Sequence, residues 1–148
     1  MGQYYKGTYK LKKPEKYKGD PNKVVYRSSW ERAVFKYLED NPDVKEWAAE
    51  EIVIPYICST DGKRHRYFID IYFKTTAGKV YLIEIKPDKE TMPPKTPKRR
   101  TKRYLTEQLT YVKNQSKWKA AREFAADNGA EFYVWTEKTL KSLGIKIL

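Results

Sequence analysis

A chain of 148 residues, 40% hydrophobic and 15% aromatic, is long enough to bury one core and short for two. Its formal charge of +12 points to a polyanionic partner, and no apolar run approaches the roughly 18 residues that cross a bilayer. Lone Cys58 and lone His65 leave neither a disulfide framework nor a cysteine zinc site nor histidine-rich metal chemistry, and the N-terminal Met-Gly-Gln-Tyr-Tyr lacks a signal-peptide core. The expectation is an intracellular, soluble protein.

Residues 1–24 are lysine-rich and punctuated by Pro14, Gly19 and Pro21, and read as a basic arm before a domain spanning 25–148. Tyr4, Tyr5, Tyr9 and Tyr17 interleave with those lysines, suited either to stacking on bases or to packing back onto the domain. Ser28 opens a helix whose stripe is Trp30, Val34, Tyr37 and Leu38, ending before Asn41-Pro42. Strands are expected at 51–57, 64–74 and 79–86, forming an antiparallel core. A basic, proline-rich loop covers 87–100. From about Thr101 a helical pattern runs through Tyr104, Leu105, Leu109 and Val112, and continues or restarts at Ser116 until Asn128-Gly129. The apolar run 130–135 suits an internal strand reached by a crossover, and Thr136-Glu137 starts a short last helix. This order describes an α/β (α+β) fold, a mixed central sheet flanked by helices.

The segments His65 to Phe73 and Gly78 to Pro87 place two acids and a lysine on adjacent short strands. Side chains alternate faces along a strand, so Glu84 and Lys86 share one face while Ile83 and Ile85 take the other. The turn at 75–78 brings Asp70 beside them. Two carboxylates that close are costly to keep ionised unless a cation sits between them. Asp70 and Glu84 therefore read as metal ligands, with the backbone carbonyl of Ile85 as a further oxygen donor and Lys86 facing the water or the phosphate. That is a kit for metal-assisted cleavage of a phosphodiester.

The segment from Lys86 to Arg103 holds eight Lys or Arg against two acids. Lys95, Lys98, Arg99, Arg100, Lys102 and Arg103 are candidate contacts to a DNA backbone, setting position and salt dependence rather than sequence preference. Gln108 and Lys113 on the following helix are weaker candidates.

Asp70 followed one strand later by Glu84-x-Lys86 resembles the restriction-endonuclease-like nuclease superfamily. Tyr26 to Glu31, Val44 to Trp47, Glu50 to Tyr56 and His65 to Asp70 look like the head completion nucleases of T4-like tailed phages, and Phe132 to Gly144 is similar to transposon-end endonucleases. The resemblance implies a restriction-endonuclease-like core and a Mg²⁺-dependent DNA endonuclease, with Mn²⁺ able to substitute. It implies that Glu31 joins Asp70, Glu84 and Lys86 in the site and admits it as a further ligand. It also implies double-stranded or branched DNA as substrate, and admits capsid or neck proteins and a second copy of the chain as partners. The setting implied is the host cytoplasm during infection or the virion head or neck.

Each residue also has a plainer role. Ser28-x-x-Glu31 is a capping box, and Glu50 or Glu51 could supply the helix-side carboxylate instead. Asp70 could pair with Arg66, and Glu84 with Lys86 could be a charged edge-strand pair. A DNA-binding structural protein of the phage head or neck, its chemistry idle, is the reading from another class. It would need the basic surface but not the acids.

Overall fold

The computed structural model describes residues 4–147, with side chains from Lys6 onward; the side chains of Tyr4 and Tyr5 lie outside the described residues. Eleven elements follow one another: β1 (Tyr4–Thr8), β2 (Val25–Ser28), α1 (Ser29–Asp40), β3 (Val44–Ala49), β4 (Val53–Ile57), β5 (Arg64–Phe68), β6 (Ile71–Thr75), β7 (Val80–Ile85), α2 (Lys102–Asp127), β8 (Ala130–Trp135) and α3 (Glu137–Ser142). The central sheet has the order β3-β6-β7-β8, antiparallel except for the parallel β7–β8 pair. A mixed sheet with flanking helices is the expected fold class. No helix among the described residues is long and apolar enough to cross a membrane.

The two faces of the sheet close separate cores. Ile71, Phe73, Ile83 and Ile85 pack with α1 residues Trp30, Val34, Phe35 and Leu38 and with Leu140 of α3. Leu82 turns the other way, onto Trp118, Ala121 and Ala125 of α2 and onto Ile54, Tyr56 and Tyr67 of the β4–β5 ribbon. This is the strict alternation of a strand covered on both sides. Helix α1 begins where the Ser28 side chain accepts the Glu31 amide at 3.2 Å, and ends at Asn41, before Pro42.

Four sequence expectations need revision. The stretch expected as one strand from 64 to 74 is two, broken at Ile69-Asp70, and β4 with β5 forms its own two-stranded ribbon rather than part of one antiparallel core. The break is made opposite Asp70 by Glu50, whose φ of 55° is left-handed and whose amide reaches the Asp70 carbonyl at 3.2 Å. Val44–Ala49 is an additional strand, with Trp47 fully buried against β6. Strand β8 is reached by the expected crossover, here the continuous helix α2, but it lies at the edge of the sheet and leaves Tyr133 46% exposed. Its apolar pattern arises because Phe132 and Val134 meet α2 while Trp135 meets Phe73.

The segment read as a basic arm packs into the domain. Strand β1 pairs with β2, and the rings of Tyr9 and Tyr17 stand edge-on to Trp47 with centroids 6.2 and 4.8 Å away. Fully buried Glu39 of α1 accepts the Tyr9 hydroxyl at 2.9 Å and the Lys12 and Lys13 amides at 2.6 and 2.8 Å. Lys16 Nζ caps the other end of the arrangement, donating to the carbonyls of Leu38, Glu39 and Asn41 at 2.9–3.0 Å. A buried carboxylate in this position is worth its burial only because every donor around it is used.

Glu39→Ala strands those donors, and the expected loss is about 3 kcal/mol, near the lower end of one such penalty per donor. Urea denaturation checks it through a lower midpoint at unchanged slope. Limited proteolysis should release the segment before residue 24 well ahead of the rest.

Candidate active site

Asp70 sits at the bend between β5 and β6, and the antiparallel register that pairs Ile71 with Ile83 sets it beside the Glu84 end of β7. Its Oδ2 accepts the Ile85 amide at 2.9 Å, which fixes the carboxylate against the neighbouring strand. Glu84 is buried, as the alternation with Ile83 and Ile85 requires, and Lys86 Nζ lies 3.5 Å from its Oε1. The Lys86 amide donates to the Trp135 carbonyl at 3.0 Å, so the lysine continues the strand direction.

Glu31 comes from the first turn of α1, buried, with Oε1 accepting the Arg27 amide at 2.7 Å. The capping box is therefore half formed. Ser28 caps the Glu31 amide, but the Glu31 carboxylate reaches back to Arg27 rather than to Ser28.

The electrostatics tie these groups into one cluster. Burial, followed by the charges of Glu84 and Glu31, pushes the Asp70 carboxyl well above the usual carboxylate range, against the pull of the Ile85 amide and Lys86. Burial also raises Glu31; the Arg27 amide opposes this, and Glu50 and Glu84 add to it. Glu50 itself is turned to Arg27, whose Nε lies 3.1 Å from both its oxygens. Glu51 is exposed. Of the three helix-side or hairpin acids, Glu31 is the buried one that faces Asp70.

Arg66 does not pair with Asp70; its guanidinium lies 5.5 Å from the Phe68 ring centroid. The cations Lys95, Lys98, Arg99, Arg100, Lys102 and Arg103 are all exposed; the first four lie between β7 and α2, and Lys102 and Arg103 open α2. Gln108 and Lys113 are exposed on α2.

Two residues at the cluster escaped the sequence reading. The Tyr67 hydroxyl donates to Glu84 Oε2, and burial and the Glu84 charge raise its own pKa. Lys117 Nζ sits 5.4 Å from the centroid of the Tyr67 ring. Burial lowers the Lys117 pKa, Glu84 and Asp70 oppose that shift, and Lys113 and Lys86 reinforce it. The available signal was the four-residue spacing of Lys113 and Lys117, which puts both on one side of a helix whose core stripe is Trp118, Ala121 and Ala125.

The donor set is carboxylate oxygen. The raised Asp70 and Glu31 carboxyls would be relieved by a hard divalent cation, so Asp70 and Glu84, with Glu31 behind them, fit such an ion. Elsewhere, Cys58, Asp61 and His65 put one ligand atom from each within 4.8 Å at the tip of the β4–β5 ribbon, a tighter grouping than Asp70, Glu84 and Glu31 form. Sequence composition alone did not disclose it. Both Asp61 oxygens are already taken, one by the Lys63 amide and one by the His65 ring, at 2.8 Å each.

The fold defines an endonuclease class by sequence as well: residues 41–137 match the TnsA-like endonuclease N-terminal domain, and the chain belongs to that family. The match takes in Asp70, Glu84, Lys86 and Lys117 and stops short of Glu31. The chain is also similar to the head completion nuclease of Enterobacteria phage T4, 44% identical over 146 residues that cover 96% of this chain and 97% of that protein.

The raised Asp70 carboxyl has a consequence for stability. A carboxyl whose folded pKa lies above its unfolded value of 3.8 favours folding at low pH and loses that contribution as pH rises through the folded value. Asp70→Asn removes the loss while keeping an acceptor for the Ile85 amide. In EDTA, its thermal midpoint should exceed that of the natural protein at pH 7 by several degrees, at about 3 °C per kcal/mol for a chain this size, and the two should converge near pH 3.

Proposed function

We propose that the chain is a Mg²⁺-dependent endonuclease that hydrolyses phosphodiester bonds in duplex or branched DNA, acting on DNA ends during completion of a phage head. The observation that carries this reading is that the charges of Glu84 and Glu31 both act on Asp70, with Lys86 Nζ 3.5 Å from Glu84, at one end of the sheet. Binding alone would require none of those buried acids, and it is this cost that favours an enzyme over an idle DNA-binding head protein. The family membership and the name of the phage T4 relative support the same direction.

Asp70 and Glu84 would hold the ion, with Glu31 and the Ile85 carbonyl as further oxygen donors. When bound, Mg²⁺ polarises the phosphoryl oxygens and acidifies a coordinated water. The Ile85 amide keeps Asp70 from rotating away. Tyr67 holds one Glu84 oxygen, leaving Oε1 toward Lys86. The Lys86 ammonium would meet charge that develops on the phosphate, and Lys117, beside the Tyr67 ring, would add a second cation. The exposed cations from Lys95 to Arg103 grip the backbone on either side without reading sequence. Mn²⁺ would substitute for Mg²⁺ in this oxygen shell. The place of action would be the infected host cytoplasm, with head or neck proteins recruiting the enzyme.

The test is nicking and linearisation of supercoiled plasmid with Mg²⁺, with Mn²⁺ and with EDTA. Asp70→Asn should bind DNA as the natural protein does and leave the plasmid intact. Full activity in that variant, or in EDTA, would sink the reading.

Lys86→Met should preserve metal binding and cut the single-turnover rate at saturating protein by about 100- to 1000-fold, since loss of one preorganised donor costs about 2.7–4 kcal/mol. A saturated rate equal to that of the natural protein would reduce Lys86 to a surface contact.

A further inference from the structure

The β4–β5 ribbon has a second face that the sheet and α2 do not cover. Ile54, Tyr56 and Tyr67 point into the α2 core, so Val53, Pro55 and Ile57 of one strand and Arg64, Arg66 and Phe68 of the other point outward. The register makes them three facing pairs: Val53 with Phe68, Pro55 with Arg66, and Ile57 with Arg64. Val53 is 38%, Phe68 43% and Ile57 62% exposed. The six residues carry two guanidinium groups, and at the Ile57–Arg64 end they share a pocket with Ser116, Lys119 and Glu123 of α2. Among the described residues neither Arg64 nor Arg66 makes an ion pair, and Arg66 is held over the Phe68 ring, 5.5 Å from its centroid.

From this we infer that the outer face of the ribbon is a docking surface for duplex DNA beside the bond to be cut, an inference that rests on the nuclease reading. Position supports it first: Phe68 lies two residues before Asp70, so the face starts where the acid cluster does. Charge supports it second, because Arg64 and Arg66, with Lys119 beside them outweighing Glu123, give a cationic face on a chain of net +12 that complements a polyanion. Chemistry supports it third. A two-stranded ribbon fits a DNA groove, and aliphatic and aromatic side chains flanked by arginine pack against sugars and base steps there. A strand-adding protein partner is disfavoured by Pro55, which removes an edge donor from β4. From Phe68 to Arg64 the face runs about 13 Å at roughly 3.3 Å per residue, the length of about four base pairs. The ribbon would thus place the enzyme on DNA to one side of the cut.

The experiment measures binding of a fluorescent DNA duplex in EDTA across a salt series, so that no cleavage is needed, for the natural protein and for Arg64→Ala/Arg66→Ala. Both side chains are exposed, and circular dichroism of the variant is to match that of the natural protein before binding is compared. The variant should bind several-fold more weakly, with the slope of log K against log salt reduced by about two. Its hydroxyl-radical footprint should be shorter by about four base pairs on one side only. A companion variant, Ile57→Ser, should weaken binding without changing the slope. Unchanged affinity, slope and footprint in the double variant overturn the inference and assign the face to something other than DNA. Failure of the natural protein to nick plasmid overturns the nuclease reading alone, because the binding comparison stands without it.

Discussion

Everything at the working end of this fold is arranged around mutual repulsion among buried acids. Asp70, Glu84 and Glu31 occupy a volume in which burial and their neighbours raise the cost of ionisation of Asp70 and Glu31. The fold answers with directed donors: the Ile85 amide to Asp70, the Arg27 amide to Glu31, the Tyr67 hydroxyl to Glu84 and the Lys86 ammonium beside it. The donors come from three stretches of chain, the end of β7, β5 and the residues just before α1. The cluster therefore exists only when strand β7, the β5–β6 bend and the start of α1 are all in place, and it trades stability for a poised anionic site.

The frame that sets α1 lies well away from the acids. Glu39 and Lys16 tie the N-terminal segment around the C-terminal half of the helix, while Tyr9, Phe35, Tyr17 and Trp47 interlock beneath it. Rigid placement of Glu31 at the first turn depends on that distant lock, since a helix anchored at one end only would pivot. Lysines that read as a solvent-facing arm are thus partly a structural clamp.

Alternation along a strand made Glu84, Lys86 and their partner Asp70 legible in the sequence, because a charge between Ile83 and Ile85 has a defined direction. The helix start at Ser28 was legible from its cap, and so was the α2 crossover. What stayed hidden was tertiary. The break at Asp70 carries no glycine or proline; it is made by Glu50 in a left-handed conformation that its sequence does not announce. Lys117 is ordinary on a helical wheel and gains its meaning only from what β5 and β7 bring to it. An edge position for β8 could not be separated from an internal one, because its two faces are apolar for different reasons.

The chain leaves the sheet at Glu50 and returns at Asp70, and two backbone bonds close that neck, Glu50 amide to Asp70 carbonyl at 3.2 Å and Ile69 amide to Ile52 carbonyl at 3.0 Å. Everything beyond the neck is a ribbon laid along α2, with Ser59 at its tip bonded to Ser116 at 3.1 Å. Residues inserted at the exposed 60–63 turn alter how far the ribbon extends and what it presents, while the root bonds keep the acid at its base in place. Reach and reactivity are consequently separable variables in this architecture, and a lineage could lengthen or exchange the one without renegotiating the other.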